Sequence, residues 1–526
     1  MVDGPADGRF GDGRSGARAD GRSAHRDVSF WFDSLAESGQ DALAPRAPLS
    51  GDSSTGVCIV GGGLTGLWTA YYLKKADPSL QVTIVEKHVV GFGASGRNGG
   101  WCSALFPRST DSLRREYGDD AARAMREAMI DTVDEVGRVI DAEGIDCDFV
   151  KGGTIVFARD TVQRSAAMTE VDEARRFGVD RLELVTSGSH DDPRSRALAA
   201  TSSLAAAFDP ACARLHPGKL VRQLASVLEA MGVVIAEQTE IVEWAPHRAL
   251  FSGAGGDGLV SCDQLVLATE AYGSQLPGVG RRIMPLYSLM IATEPLPDDL
   301  WEELGIEHGM TFSDYRHLLI YGQRTADNRF AFGGRGARYH WGSSIKPGHD
   351  RVARVFDHLQ SALGDLFPAA RNARFTHRWG GPLGVARDWH PTASFNPRTG
   401  VAFAGGYVGD GLSTTNLAGR TLAVLIGDAR GVATDVSGPT SDAPTALRPT
   451  SLHPTSLHPT SPGPTSAATL RTLPWVNHLS PKWEPEPLRF LGANLGLVGT
   501  GAADLEESVT GRRSIAARLL GPLTGH

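Results

Sequence analysis

Three glycines and a glutamate near the start of the chain have the types and spacing of a nucleotide-binding turn. Gly61, Gly63 and Gly66 leave the apolar run VCIV (57–60) and open LTGLWTAYYLKKA, a segment with helical spacing. In such a strand–turn–helix unit, glycines permit the tight turn and the close approach of a pyrophosphate, and the helix N-terminus attracts phosphate. Glu86 ends the next strand-like run 20 residues after the last glycine, where a carboxylate binds ribose hydroxyls and repels a 2′-phosphate. We therefore predict a dinucleotide site that disfavours NADP.

The same glycine pattern occurs twice more, in GFGASG (91–96) and GAGGDG (253–258). The first of these follows Glu86 too closely for another strand–turn–helix unit, and the second joins two strand-like runs, so we interpret neither as a nucleotide site. GFGASG instead leads into SGRNGG (95–100), which offers backbone N–H groups, small side chains, the cation of Arg97 and the amide of Asn98. FAD is longer than NAD and needs further backbone beside its flavin end, so this segment favours FAD. The cofactor-binding candidates in these segments are Gly61, Gly63, Leu64, Thr65, Gly66, Glu86, Lys87, Ser95, Gly96, Arg97, Asn98, Gly99 and Gly100.

The elements that must position these residues form an α/β pattern followed by a strand-rich middle. Apolar periodicity predicts a helix over 119–143, whose stripe we interpret as core packing. Strands are predicted at 57–60, 82–86, 154–158, 232–237, 264–269, 287–293, 317–322, 329–334 and 401–406.

The composition is that of a multidomain globular protein. With 526 residues the chain is too long for one core, and its 63 glycines are about 12% of it, against about 7% on average. A net charge of −8 gives no electrostatic footprint for nucleic acid. The five cysteines are scattered without a CxxC pair, which argues against disulfides or zinc and favours a reducing cytoplasm. No secretory signal and no apolar run of about 20 residues is present, so we expect no membrane span.

Two segments lack the composition of a folded unit. Residues 1–28 are rich in Gly, Asp and Arg and are expected to be disordered, whereas SFWFDSL after them carries aromatic anchors that we expect to dock on the body. Residues 431–470 contain the repeat PTSLH-PTSLH-PTSPG-PTSAA, whose proline density predicts an extended linker. The repeat also explains His453 and His458 better than a metal site does.

Beyond these patterns, VGGGLTGLWTAYYL, VTIVEK and GASGRNGG resemble the D-amino-acid oxidase, glycine oxidase and sarcosine oxidase superfamily of FAD enzymes. VLATEAY (266–272) and GGYVGDGLSTTNLAGR (405–420) agree, and the likeness is closest to γ-glutamylputrescine oxidase-like amine oxidoreductases. It covers roughly residues 30–430 and part of the tail around 473–492.

The resemblance implies an α/β protein, α+β overall, with a Rossmann-like FAD-binding domain and an inserted antiparallel-sheet substrate domain. The expected division is a disordered N-terminal tail at 1–28, FAD-binding parts at 29–145, 201–285 and 377–430, substrate-domain parts at 146–200 and 286–376, a linker at 431–470 and a C-terminal tail segment at 471–526.

The resemblance also implies further cofactor contacts. Ile241 is expected near the adenine, Ala268 and Thr269 near the diphosphate, and a helix starting near Gly411 would point its N-terminus at the flavin pyrimidine, where reduction places negative charge. The late-segment candidates are Gly406, Gly409, Asp410, Gly411, Leu412 and Ser413. Sarcosine oxidases link flavin to a cysteine shortly before this segment; residues 373–390 contain none, so we expect non-covalent FAD and a weaker case for sarcosine.

Four residues are candidates for substrate contact: Tyr321, Arg335, His377 and Trp379. Arginine would pair with a substrate carboxylate and an aromatic ring would attract an amine. Packing is the competing interpretation of each, because a lone aromatic residue at a strand end is usually part of the core.

Family members oxidise a C–H beside an amine to an imine by hydride transfer to flavin. The resemblance therefore implies a small amine or amino-acid substrate, with reoxidation by oxygen to give hydrogen peroxide. A dehydrogenase that passes electrons to a quinone or carrier protein is an alternative, and a non-catalytic flavin-binding subunit is a third.

Overall fold

The computed structural model describes residues 25–179, 181–189, 191–432, 434, 463–515 and 517. Two large sheets and a small one organise these residues. The strands are β1 (Ser53–Val60), β2 (Val82–Val85), β3 (Trp101–Ser103), β4 (Thr154–Ala158), β5 (Glu183–Val185), β6 (Ala205–Asp209), β7 (Cys212–Arg214), β8 (Val234–Ala236), β9 (Thr239–Ala245), β10 (Arg248–Gly253), β11 (Gly256–Leu267), β12 (Met284–Thr293), β13 (Thr311–Asp314), β14 (Ile320–Arg324), β15 (Phe330–Arg335), β16 (Phe375–Val385), β17 (Thr392–Asn396) and β18 (Val401–Gly405).

Helices cover the sheets. They are α1 (Phe30–Glu37), α2 (Leu64–Ala76), α3 (Thr110–Tyr117), α4 (Asp119–Ala142), α5 (Thr161–Phe177), α6 (Pro193–Ala200), α7 (Pro217–Ala230), α8 (Asp298–Leu304), α9 (Ala353–Leu366), α10 (Gly411–Arg430), α11 (Ala467–Thr472) and α12 (Leu488–Thr510). Short 3-10 helices occupy Arg26–Val28, Ala94–Gly96, Glu270–Gln275, Gly280–Arg282, Trp341–Ser343 and Pro368–Ala370.

The first sheet is the expected Rossmann-like sheet. Its order is β17-β18-β11-β1-β2-β8, with β1 parallel to both β2 and β11, and the hairpin β9–β10 attached to β11. The VCIV end of β1 is apolar because both faces of a central parallel strand are covered. Strands from three separated stretches of chain meet here, which confirms the predicted fold class.

The second sheet has the order β16-β12-β15-β14-β13-β4-β6-β5 and is antiparallel except between β13 and β4. One face packs against α6, α8 and α9 around a core that includes Phe312, Phe332 and Leu359. Since β6 and β16 both pair in this sheet, it extends past the expected divisions at 200/201 and 376/377.

The ends of the chain differ from the expectation in detail. Residues 1–24 lie outside the described residues, but Arg26–Val28 of the expected disordered tail form a 3-10 helix, and Arg26 pairs with Asp33 of α1 at 2.5 Å. SFWFDSL forms α1 and docks as expected. Of the expected linker, residues 463–470 are described and include the start of α11; the repeat's His453 and His458 lie outside the description.

Neither a membrane-spanning helix nor a metal site is found among the described residues. Among them, no helix has the length and apolar character needed to cross a bilayer. Within the same ranges, no three His, Cys, Asp or Glu side chains are placed to hold a metal ion. All five cysteines are free and buried.

Candidate active site

The glycine turn is closed by contacts that exclude side chains at two of its three positions. Gly61 has φ +113°, and a Cβ there would lie 2.6 Å from the carbonyl oxygen of Ala268. A Cβ on Gly66 would lie 2.2 Å from the carbonyl oxygen of Gly61, so helix and strand meet backbone to backbone. Gly63 instead borders a cavity, where a Cβ would come 3.0 Å from Ser95 Oγ.

This cavity, which we call the inner cavity, has a volume of about 820 Å³. The N-terminus of α2 opens onto it: the N-cap is Gly63, which offers no side chain to the first N–H groups. The Leu64 N–H donates to Ser95 Oγ at 2.9 Å, and the Thr65 and Tyr407 hydroxyls are 3.1 Å apart. A helix start lined by small and hydroxyl side chains is a suitable phosphate site.

Glu86 lies on the cavity wall beside the turn. Its Oε2 accepts from the Gly62 N–H at 2.7 Å and its Oε1 from the His88 N–H at 2.9 Å. Burial raises the pKa of Glu86 to about 7 despite these hydrogen bonds. Lys87 also lines the cavity and pairs with Glu240 at 2.7 Å. The carboxylate therefore has the position expected of a ribose-binding acid.

The SGRNGG segment presents backbone to the cavity, while its polar side chains secure the loop. Arg97 donates to the Phe92 carbonyl at 2.7 Å and pairs with Asp350 at 2.9 Å, linking the loop to the second sheet's domain. Asn98 donates to the Ser95 carbonyl at 3.0 Å and accepts from the Gly100 N–H at 2.8 Å. Ser95, Arg97, Asn98 and Gly99 line the cavity, whereas Gly96 and Gly100 are not among its lining residues.

The two other occurrences of the glycine pattern, GAGGDG and GFGASG, form a hairpin and a loop, as expected. GAGGDG forms the tight hairpin between β10 and β11, with Gly253 opposite Gly256. In GFGASG, a Cβ on Gly96 would lie 2.4 Å from the Gly91 carbonyl oxygen, so these glycines close a compact loop. Neither opens a long helix at a strand end.

The late glycine segment forms another wall of the inner cavity, and α10 begins at Gly411 as expected. Ile241, Ala268, Thr269, Gly409, Asp410, Gly411 and Leu412 all line the inner cavity. Gly406 and Ser413 do not; the Ser413 hydroxyl donates to the Ser103 carbonyl at 2.5 Å.

Glu270 is a cavity residue that the sequence patterns did not single out. Its Oε1 accepts from the Tyr407 N–H at 3.0 Å, and its Oε2 is buried without a hydrogen-bond partner among the described residues. Burial raises its pKa to about 7. The available signal was an acid directly after the strand end VLAT, within a segment already quoted for its family likeness.

The structure brings two of the four substrate candidates to the inner cavity. Tyr321 lines it with its hydroxyl 2.8 Å from Ser288 Oγ, and Arg335 lines it while donating to the Val408 carbonyl at 2.9 Å. Asp410 faces the same region; burial raises its pKa to about 6, and the positive charge of Arg335 opposes that rise.

His377 and Trp379 are not among the residues that line the cavity. They lie on the same strand as cavity-lining Gly381, but α1 covers their end of it. The Phe30 ring is centred 5.1 Å from that of His377, and the Trp379 indole donates to the Arg97 carbonyl at 2.9 Å. The aromatic side chains of α1 thus fill the space in which a substrate contact was expected.

A second cavity of about 1040 Å³, the outer cavity, adjoins the first. The two cavities adjoin at four residues that line both, Leu105, Glu170, Leu182 and Asp209. The outer cavity is walled partly by the C-terminal segment, through Pro481, Lys482 and Glu484.

The size and the lining residues of the inner cavity are suitable for FAD. Its volume is in the range of cofactor sites, a backbone cradle and a helix N-terminus lie at one end, and Glu86 lies beside them. Thr269 Oγ1, on the cavity wall, is a buried polar atom without a hydrogen-bond partner in the described structure, as expected of a group that awaits a ligand.

Comparison with known proteins agrees with this geometry. The chain is 30% identical over 389 residues to gamma-glutamylputrescine oxidoreductase of Escherichia coli (strain K12), covering 73% of this chain and 87% of the relative. It is 29% identical over 408 residues to probable oxidoreductase OrdL of Haemophilus influenzae, covering 76% and 88%. The fold is similar to that of glycine oxidase from Geobacillus kaustophilus, with a TM-score of 0.58, 20% identity and coverage of 72% and 95%.

Residues 56–425 match the family described as DAO, FAD dependent oxidoreductase. That range contains the glycine turn, Glu86, both candidate substrate residues and the start of α10. The matched range is more than half of the chain, and an FAD-dependent family is consistent with the fit of FAD to the inner cavity. The protein belongs to the DAO family of FAD-dependent oxidoreductases.

Proposed function

We propose that this enzyme oxidises the C–H beside the nitrogen of a small amine or amino acid, with FAD bound non-covalently and oxygen as the final acceptor. The observation that carries the proposal is the meeting of two sets of residues in one cavity. Tyr321 and Arg335 come from the second sheet, and they face the same space as the glycine turn and the start of α10. The similarity to gamma-glutamylputrescine oxidoreductase supports an amine substrate.

When bound, FAD supplies an acceptor for the hydride that leaves the substrate carbon. The protein must orient that carbon and leave the amine neutral. Tyr321 and Ser288 offer hydroxyl groups from the sheet, and Asp410 offers a carboxyl that titrates near neutrality. We assign to Asp410 the removal of the ammonium proton, because a base whose pKa lies near the working pH transfers protons most efficiently.

Arg335 and Asp410 also distinguish an amino acid from a plain amine. The carboxylate of an amino-acid substrate would pair with the Arg335 guanidinium. The Asp410 carboxylate interacts with the same positive charge, so the two carboxylates would compete for it. Replacing Asp410 by Asn should then lower KM for an amino acid, whereas KM for a plain amine, which lacks that pairing, should rise.

The test is a coupled peroxide assay on a panel of amines and amino acids, run beside a dye-reduction assay. Peroxide formation with an amine supports the proposal. Dye reduction without peroxide would favour the dehydrogenase alternative, and failure of every substrate to bleach the flavin would favour a non-catalytic subunit. For an amino-acid substrate, Arg335→Met should reduce kcat/KM by about 100-fold or more, because the pairing with the substrate carboxylate is lost. Arg338→Met is the matched control, because it removes the same charge from an exposed position outside the cavity.

A further inference from the structure

The long C-terminal helix α12 exposes an apolar stripe of regular spacing. Six large apolar side chains on it are each between 53% and 77% exposed: Leu488, Leu491, Leu495, Val498, Leu505 and Val509. Ala502, also exposed, takes the one remaining position. The steps along the stripe alternate between three and four residues, which is the seam spacing of a coiled coil rather than the wider stripe of a helix packed on a globular core.

The opposite face of α12 is held against the body of the protein. Gly496, Gly499 and Ala503 are buried there. The Asp504 carboxylate accepts from the backbone N–H groups of His317 and Leu318 at 2.6 and 2.9 Å. The helix is therefore anchored along one side, and none of the residues that the structure describes covers the seam.

The seam is large enough to support a stable contact. A helix of 23 residues is about 34 Å long, and six side chains exposed to this extent amount to roughly 600 Å². Monomers rarely expose an apolar patch of that size. A symmetric pair would bury about 1,200 Å² from these side chains alone, which reaches the lower bound of specific interfaces.

The chemistry of the helix favours a second copy of this chain over a membrane surface. A seam with strict three–four spacing is complementary to itself, as a two-fold contact requires. Gly492 and Gly501 lie beside it, and a Cβ added at either would meet no atom within 4 Å, so two helices can approach closely. A helix that lies on a bilayer needs Lys and Arg on its polar face, whereas α12 carries one arginine, Arg489, which is buried, and three acids.

We propose that α12 is a homodimerisation helix, and that its seam packs against the same seam of a second copy across a two-fold axis. The interface lies on the far side of α12 from the His317–Leu318 loop, so pairing leaves the inner cavity unobstructed. The C-terminal segment then joins the subunits and also walls the outer cavity.

The test measures the mass of the FAD-loaded full-length protein by light scattering and sedimentation over a range of concentrations. The native chain should be a dimer. Leu495→Glu with Val498→Glu should raise the dimer dissociation constant by about 100-fold or more, while circular dichroism and the flavin spectrum stay unchanged. Leu479→Glu is the matched control, because Leu479 is 76% exposed and lies outside the seam; it should remain a dimer.

A second measurement does not depend on a destabilising charge. Val498 is near the middle of the seam, so Val498→Cys should form a disulfide-linked dimer under mild oxidation whether the helices run parallel or antiparallel. The five native cysteines are buried and should not react, and Leu479→Cys should give no dimer. A native chain that is monomeric at about 100 μM would overturn the proposal. So would a dimer that survives the double Glu variant, or binding of α12 to lipid vesicles in place of self-association.

Discussion

Glu270 Oε1 accepts a hydrogen bond from the Tyr407 N–H at 3.0 Å, and this contact joins the end of β11 to the segment that leads into α10. The two residues are 137 positions apart in sequence. Their contact brings two walls of the cofactor cavity together, and it leaves Glu270 Oε2 buried without a partner in the described structure.

The raised pKa of Glu270 makes a prediction about stability without FAD. Because its folded-state pKa of about 7 exceeds the ordinary 4.5, the apo-protein loses stability as pH rises from about 4.5 to 7, by up to about 3 kcal/mol, and the loss then stays constant. Glu270→Gln removes this loss, so the variant should be more stable than the native chain at pH 8 and similar to it at pH 5. Urea unfolding at both pH values measures this. Equal differences at the two pH values would contradict the assignment.

The glycine turn predicts different outcomes for two substitutions. Gly61→Ala places a Cβ 2.6 Å from a carbonyl oxygen at φ +113°, so we expect a loss of about 2 kcal/mol or more in the free energy of unfolding. Gly63→Val projects into the cavity beside Ser95, so the protein should remain folded but be colourless. Circular dichroism and the ratio of flavin to protein absorbance measure the two effects. Retained flavin in folded Gly63→Val would refute the turn assignment.

The docked N-terminal helix makes a prediction about cofactor affinity. The Trp31 indole donates to the Asn98 carbonyl at 2.8 Å, and Ser29 Oγ donates to the Gly96 carbonyl at 2.7 Å, so α1 braces the SGRNGG loop from behind. Trp31→Phe removes one of these hydrogen bonds, and FAD should bind up to about 10-fold more weakly. Fluorescence titration of the apo-protein measures this. Trp341→Phe, an exposed tryptophan elsewhere, should bind FAD as the native chain does.

Asp131 makes a prediction about acid stability. Burial alone would raise its pKa, but Arg420 at 3.0 Å and Arg138 at 2.7 Å hold the pKa below its ordinary value. Its stabilisation is therefore complete at neutral pH and is lost as pH falls below about 4. The Thr465 hydroxyl also donates to the Asp131 carboxylate, and this hydrogen bond attaches the C-terminal segment to α4. Arg420→Met should cost about 3 kcal/mol at pH 7 and move the acid-unfolding midpoint to higher pH.

Asp410 predicts the shape of the pH–rate profile. If it takes the ammonium proton, kcat/KM should rise through about pH 6 as its carboxyl ionises. In Asp410→Asn this rise of kcat/KM with pH should be absent. If the rise persists in the variant, it belongs to the titration of another group.

The turn at Gly61, Gly63 and Gly66 and the position of Glu86 beside it were predictable from sequence because strand, turn and helix are contiguous there, and local spacing sets their geometry. Their contact with FAD stays a prediction. The same reasoning separated GAGGDG, which is a hairpin, from the nucleotide turn. α10 was predicted from a resemblance that spans its whole first turn.

The surroundings of His377 and Trp379 could not be predicted from local sequence patterns. No strand was predicted over residues 375–385, and the aromatic residues that cover His377 and Trp379 come from α1, more than 300 residues earlier in the chain. Glu270 was missed for the same reason, since its contact with Tyr407 depends on the closure of the sheet. No helix was predicted over 488–510, and the exposure of its apolar side chains depends on how α12 packs, which spacing alone does not determine.

Flavin-dependent amine oxidation is tested most directly by anaerobic mixing of the purified protein with a panel of amines and amino acids while the flavin band at about 450 nm is recorded. We predict a yellow protein whose band is bleached by at least one amine or amino acid, and bleaching by an amino acid should be at least about 100-fold slower in Arg335→Met. A protein whose band is bleached by a reduced nicotinamide nucleotide and by no amine would contradict this function.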